Sequence, residues 1–294
     1  MDWTPVLMVA IAFAVLFLAA RADWKTREAS DLYWIVIGAA GMVFLTFQIL
    51  NDGVDLLYLL VLVPIGLFFL DIFWERKGMF EGGINAVPLA MYLLGFAILG
   101  AMVLQFNSDL YFWKLMIVPI MFLIFILLYQ FDIIKGGADA KALIALAILF
   151  PLYPLIDTLP LIHLPYDAAQ FVLPFPLLIL FNAAVLTIAV PVFLFFYNMA
   201  KRDIRFPAML FGYKLPLAEA KTKFVWPMER IENGVVKFSV FPKGSDFTEA
   251  EFDHLAADGL QVIWVTPKIP FLIPIAASLL FSVIIGNVLF LLIR

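Results

Sequence analysis

The sequence predicts an all-α polytopic membrane protein of about eight transmembrane helices, with a small cytoplasmic α/β domain of ββαβ order before the last of them. Three observations carry that reading. Of 294 residues, 65% are hydrophobic and 14% charged, against about half and about a quarter in soluble domains. The apolar residues come in runs of about 20, the length that crosses a hydrocarbon core as a helix. Lys and Arg gather in alternate connections between the runs, as in a chain woven through a bilayer.

The runs fall at about 5–20, 32–50, 56–74, 85–105, 111–131, 139–156, 171–199 and 269–292. Pro151 and Pro154 interrupt the sixth, because proline removes a helix donor and clashes with the preceding turn. The seventh is long enough to tilt or to start in the outer interface. No internal repeat or low-complexity tract is apparent. The first run has no basic residue before it and several after it, which reads as a membrane anchor with its N-terminus outside, not as a cleavable signal. The inner connections are then 21–31, 75–84, 132–141 and 200–268, holding 3, 2, 2 and 10 of the basic residues. That is 17 of 19, with Lys114 and Arg294 outside. The last connection is long enough to count for less, yet without it the balance is still 7 against 2. The expected location is the cell membrane, multi-pass, with the lipid bilayer as partner.

Several chemistries are excluded. The net charge of −4 gives no hint of nucleic-acid binding, and no nucleic-acid partner is expected. The absence of cysteine removes disulfides, thiol catalysis and thiolate metal sites. The two histidines, His163 and His254, are far apart, so no metal site is expected. The outer connection "PLYPLIDTLPLIHLPYDAAQ" is rich in proline and aromatics and reads as an interfacial belt segment.

What remains is carboxylate chemistry. In "IIKGGADAKAL", Asp139 stands at the cytoplasmic start of the sixth run, at or near a helix N-cap. Asp23, in "RADWKTREASD", stands at the cytoplasmic end of the first run. The two are 116 residues apart in sequence but share a membrane boundary. Two carboxyl groups held close share a proton, which suits general acid–base attack of water on a peptide bond. Gly136 and Gly137 can adopt positive φ and admit another backbone, as an extended substrate strand requires. Each aspartate also has a plain structural reading, Asp139 as a helix cap and Asp23 as an interfacial acid among Arg21, Lys25 and Arg27. Asp31, with Ser30 beside it, reads as the N-cap of the second run, and Asp132 as a loop acid. Asp71, an acid at membrane depth with no evident partner, is a reserve candidate.

The segment "GGADAK" at 136–141 resembles the GxGD-type motif of the type IV prepilin and archaeal preflagellin peptidases, with Ala138 in the form of the archaeal branch. "DWKTREASD" at 23–31 resembles that family's first-aspartate segment: an aspartate followed by a basic residue, then Arg27-Glu28 and Asp31 before the next helix. By motif the resemblance covers these two stretches; by topology it covers roughly residues 1–200. It implies that Asp23 and Asp139 are a catalytic dyad and that Gly136 and Gly137 form the substrate-approach loop. It further implies removal of a short basic leader from type IV pilin-like or archaellin preproteins at the cytoplasmic face, without metal or cofactor. The chain departs from the family in having about eight spans instead of six. It also has no tetracysteine motif and no sign of N-methylation activity, so peptidase activity alone is expected.

The expected domains are a membrane peptidase domain at 1–200, a cytoplasmic α/β domain at 201–268 and a final transmembrane helix at 269–294. In the second, "KFVWPMERIENGVVKFSV" reads as two strands joined at Asn233-Gly234, a strong hairpin signal. "SDFTEAEFDHLAADGL" reads as a helix capped by Ser245, Asp246 or Thr248 and ended by Gly259. "LQVIWVTP" is a further strand. The domain resembles the C-terminal region of a longer subset of archaeal prepilin peptidases; substrate docking, assembly and structural clamping are its open roles. Two other functions compete. One is an intramembrane protease of presenilin type, which also uses GxGD; here Phe131-Asp132 and "PAML" at 207–210 match its remaining motifs poorly. The other is an ion-coupled transporter, which requires acids and broken helices near the midplane.

Overall fold

The computed structural model describes residues 3–76, 82–163, 169–232, 234–241 and 249–292. The chain forms two compact units, residues 1–183 with 270–294, and residues 184–269.

The first unit holds α1 (Thr4–Thr26), α2 (Asp31–Asn51), α3 (Leu62–Asp71, preceded by a 3-10 turn Leu56–Val61), α4 (Ala86–Phe106), α5 (Leu110–Gln130), α6 (Gly137–Leu149), the short α7 (Ala169–Val172), α8 (Phe175–Thr187) as far as Ala183, and α12 (Leu272–Ile284). Among the described residues, five helical stretches are long and apolar enough to cross a bilayer: Thr4–Thr26, Asp31–Asn51, Ala86–Phe106, Leu110–Gln130 and Phe175–Lys201. These long stretches account for five of the eight expected spans. Shorter helices stand at the other three positions. Leu56–Asp71 and Leu272–Ile284 are two of them. The third is α6, 13 residues long, or about 20 Å, short of a hydrocarbon core of about 30 Å. Pro151 is the physical reason: the residue before a proline is pushed out of the α region, and Phe150 ends the helix at φ −122°, ψ 71°.

α6 is the centre of this unit. Every residue from Ala142 to Phe150 is buried, as a helix apolar on all sides must be. α2 packs on it most extensively, and α5 lies against it as well. α2 buries a stripe of Trp34, Ile37, Gly38, Gly41, Leu45 and Ile49. A Cβ at Gly41 would stand 2.6 Å from the Leu149 backbone nitrogen, so the missing side chain brings the two backbones together. α1 packs on α12 and α2. Asn182 donates to Ser282 Oγ at 2.8 Å, a buried polar tie between α8 and α12. The outer faces are apolar: Val43, Phe47, Leu93, Leu94 and Leu104 are exposed, as hydrocarbon surroundings require.

The second unit begins within α8 and holds α9 (Ala189–Lys201), β1 (Tyr213–Pro216), α10 (Leu217–Ala220), β2 (Val225–Pro227), β3 (Glu229–Glu232), β4 (Val235–Phe238), α11 (Glu249–Ala257) and β5 (Val262–Pro267). The expected hairpin is β3–β4, with Gly234 at φ 74° in its turn. Asn233 and the proposed caps Ser245, Asp246 and Thr248 lie outside the described residues. α11 ends before Gly259, whose φ of 82° favours glycine. The expected ββαβ order is incomplete: β1 and β2 flank β5 in an antiparallel sheet of order β1-β5-β2. β1 is four residues ending in proline, too short to show a period of two. β5 is buried on both faces. Ile263 and Val265 enter a core with Leu215, Leu217, Ala220, Val225 and Leu255, while Trp264 packs on Ala208, Met209 and Met228 on the other side.

Candidate active site

Asp23 lies in the last turn of α1, because the helix continues past the expected end to Thr26. Arg27 then takes the left-handed conformation, φ 62°, and donates its N–H to the Asp23 carbonyl at 3.0 Å. Asp139 occupies the third position of α6, after Gly136 at the N-cap, and not the cap itself. α1 meets α6. Asp23 and Asp139, both half-buried, stand close enough for their charges to act on one another, and Arg27 is in Coulombic reach of Asp23. The two aspartates singled out in sequence are thus brought together from opposite ends of two helices.

The glycines act through space more than through backbone freedom. Gly136 has φ −92° and ψ 124°, open to any residue. A Cβ there, however, would stand 2.2 Å from Asp139 Oδ2, so the carboxyl group occupies the place of the absent side chain. Gly137 is the first helical residue, and a Cβ on it would meet Tyr129 Oη at 3.5 Å, an ordinary contact.

The remaining acids separate by their partners. Asp71 accepts from Tyr92 Oη at 2.7 Å and from Arg76 Nε at 3.0 Å, which supplies the partner that the sequence left unnamed. Asp132 is exposed, with φ 56°, in the turn after α5. Ser30, not Asp31, caps α2, accepting from the Leu32 N–H at 3.3 Å. Asp31 instead takes both carboxylate oxygens to Lys141 Nζ, at 2.7 and 2.8 Å. That pair escaped the sequence reading. Its one sequence signal is spacing: Asp31 is three residues before Trp34 and so continues the stripe that α2 buries. An apolar groove of about 630 Å³, lined by Ile35, Ala39, Met42, Phe69 and Phe73 among others, opens on α2 and α3. Among the described residues, no group of three or more His, Cys, Asp or Glu is arranged to hold a metal ion.

Fold and site define a multi-pass helical membrane protein with an aspartate pair at adjoining helix ends, followed by a small sheet-bearing unit. Residues 205–288 match the family described as Archaeal Peptidase A24 C-terminus Type II, a region that takes in β1 to β5 and α12. The chain is similar over 94% of its length to the preflagellin peptidase of Methanococcus voltae, 27% identical over 289 residues and 96% of that protein. It is 31% identical over 169 residues to the preflagellin peptidase of Methanocaldococcus jannaschii, covering 54% of this chain and 66% of that one. The preflagellin peptidase of Methanococcus maripaludis gives 31% over 160 residues, 52% and 64% of the two chains. The chain is a relative of the archaeal preflagellin peptidases, as the motif segments implied.

Proposed function

We propose that this protein removes the leader peptide from preflagellin-like and type IV pilin-like preproteins, with Asp23 and Asp139 as the catalytic pair at the cytoplasmic membrane face. The observation that supports the reading is that α1 and α6 touch and that Asp23 and Asp139, at their ends, are within Coulombic reach of one another. Similarity to preflagellin peptidases over nearly the whole chain supports the substrate class. The basic residues concentrated in the connections next to both aspartates support the cytoplasmic face.

In this reading one of the two carboxyl groups is protonated and the other ionised when substrate binds, since two charged carboxylates drawn together would repel. The ionised member takes a proton from water as its oxygen attacks the scissile carbonyl carbon. The protonated member hydrogen-bonds the carbonyl oxygen as charge develops there. Collapse of the tetrahedral intermediate breaks the C–N bond, and the amine leaves with the proton that the water gave up. Every proton moves between water, the two aspartates and the peptide. The missing side chain at Gly136 leaves room for the Asp139 carboxyl group at the start of its helix, where N–H groups point outward.

The test is co-expression with a panel of candidate preproteins, scored by the gel shift that leader removal produces. The expected result is a shift for preproteins with short basic leaders, abolished by Asp23→Asn and by Asp139→Asn while both variants remain in the membrane. A chain that shifts none of them is not a leader peptidase of this class.

A further inference from the structure

We infer that Asp31 and Lys141 form a clamp that sets the rotation of α6 and so aims Asp139 at Asp23. The inference rests on reading those two aspartates as the catalytic pair, but the clamp itself is a matter of geometry. Lys141 Nζ reaches both oxygens of Asp31, at 2.7 and 2.8 Å, across 110 residues of chain. The same ammonium lies 5.1 Å from the centre of the Phe73 ring, which gives it a second fixed contact. Asp31 is the first residue of α2, and Lys141 is in the opening turns of α6. The pair therefore ties the beginnings of the two helices that pack together most extensively.

Helix geometry gives the tie its consequence. Residues 139 and 141 are separated by roughly 200° around a helix of 3.6 residues per turn. Fixing Lys141 to α2 therefore carries Asp139 to the far side, away from α2, where the charge of Asp23 reaches it. At the other end, the Gly41 notch seats the Ile148–Leu149 backbone against α2. Between those ends α6 presents Ala142, Leu143, Ile144, Ala145 and Leu146, apolar side chains with no directional contact. A rotation of about 20° would move a carboxyl group about 5 Å from the axis through about 1.7 Å. Displacements near 1 Å at a reacting group cost up to roughly 100-fold in rate. The side chains of Lys141 and Asp31 are 27% and 47% exposed. An ion pair this wet adds little to stability, so its loss should appear in geometry and rate before it appears in folding.

The chain has no cysteine, which allows a readout independent of proteolysis. With Asp23→Cys and Asp139→Cys in the full-length chain, a short bis-methanethiosulfonate reagent reports how well the two positions face one another. Adding Lys141→Met or Asp31→Asn should slow crosslinking at least about tenfold, while melting temperatures stay within a few degrees. The exchange Asp31→Lys with Lys141→Asp should restore most of the rate, as should Lys141→Arg. In the chain with both aspartates present, Lys141→Met should lower kcat for a preflagellin by roughly 10- to 100-fold with KM within about twofold. Unchanged crosslinking in Lys141→Met, or an exchange no better than the single variants in folded protein, overturns the clamp. Slowed crosslinking in a chain whose parent leaves preflagellins uncut upholds the clamp and strikes the proposed function alone.

Discussion

Position 136 has no room for a methyl group, because the Asp139 carboxyl group already lies where one would be. Gly136→Ala should therefore displace Asp139 and reduce leader removal roughly 10- to 100-fold, with little change in melting temperature, as measured by parallel cleavage and thermal unfolding assays. Unaltered cleavage would show that the carboxyl group can turn aside without consequence. The glycine was legible in sequence as a place of close approach, but its reason was not. Positive φ and a missing Cβ look the same in a sequence; only the structure, with φ at −92°, separates them. The two aspartates drew notice in the sequence because acids at membrane depth are costly and because each stands in a motif segment. The partners of Asp31 and Asp71 were not legible, since an ion pair across 110 residues leaves no local pattern.

α6 was read as a span to residue 156 and is instead a buried helix ending at Leu149. An apolar run has the same composition whether lipid or protein surrounds it, so hydropathy could not distinguish the two. Its seat against α2 depends on Gly41. Gly41→Leu should force the helices apart and destabilise the protein by about 1–3 kcal/mol or more, visible as a lower melting temperature in detergent; equal melting would place the contact elsewhere. In the second unit the hairpin and β5 were legible from turn chemistry and β-branched residues, whereas four-residue β1 was not. There Glu229 of β3 accepts the Trp264 N–H of β5 at 2.7 Å, a bond between the two sheets. Burial pushes Glu229 up from the ordinary glutamate range, against the pull of that N–H and of Arg205. An acid raised on folding contributes stability that is full below its unfolded pKa, about 4.3, and is lost as pH rises through the folded value. Glu229→Gln should accordingly flatten the fall in melting temperature as pH rises from about 4 toward neutrality. An unchanged slope would remove Glu229 as its source.

The whole molecule joins a helical unit that carries both aspartates to a sheet-bearing unit that carries neither. Apolar run length made the helices of the first legible, and the charge bias supplied an expected orientation in which both aspartates share one face. Removing residues 212–264 takes away β1 to β4, α10, α11 and half of β5 but leaves the helices bearing Asp23 and Asp139. Such a chain should still cut a preflagellin while handling fewer preproteins, scored across the same panel; complete loss in a folded deletion would give the second unit a part in the chemistry. The central claim is that Asp23 and Asp139 act as one unit. Residues acting as a unit are non-additive, so removing the second costs little once the first is gone. The direct measurement is the cleavage rate of a purified preflagellin by the parent chain, Asp23→Asn, Asp139→Asn and the double variant, all in the same membrane mimic. Each single variant should lose nearly all activity and the double variant no more than either. A single variant that keeps near-parental rate, or losses that multiply in the double, would contradict the pair.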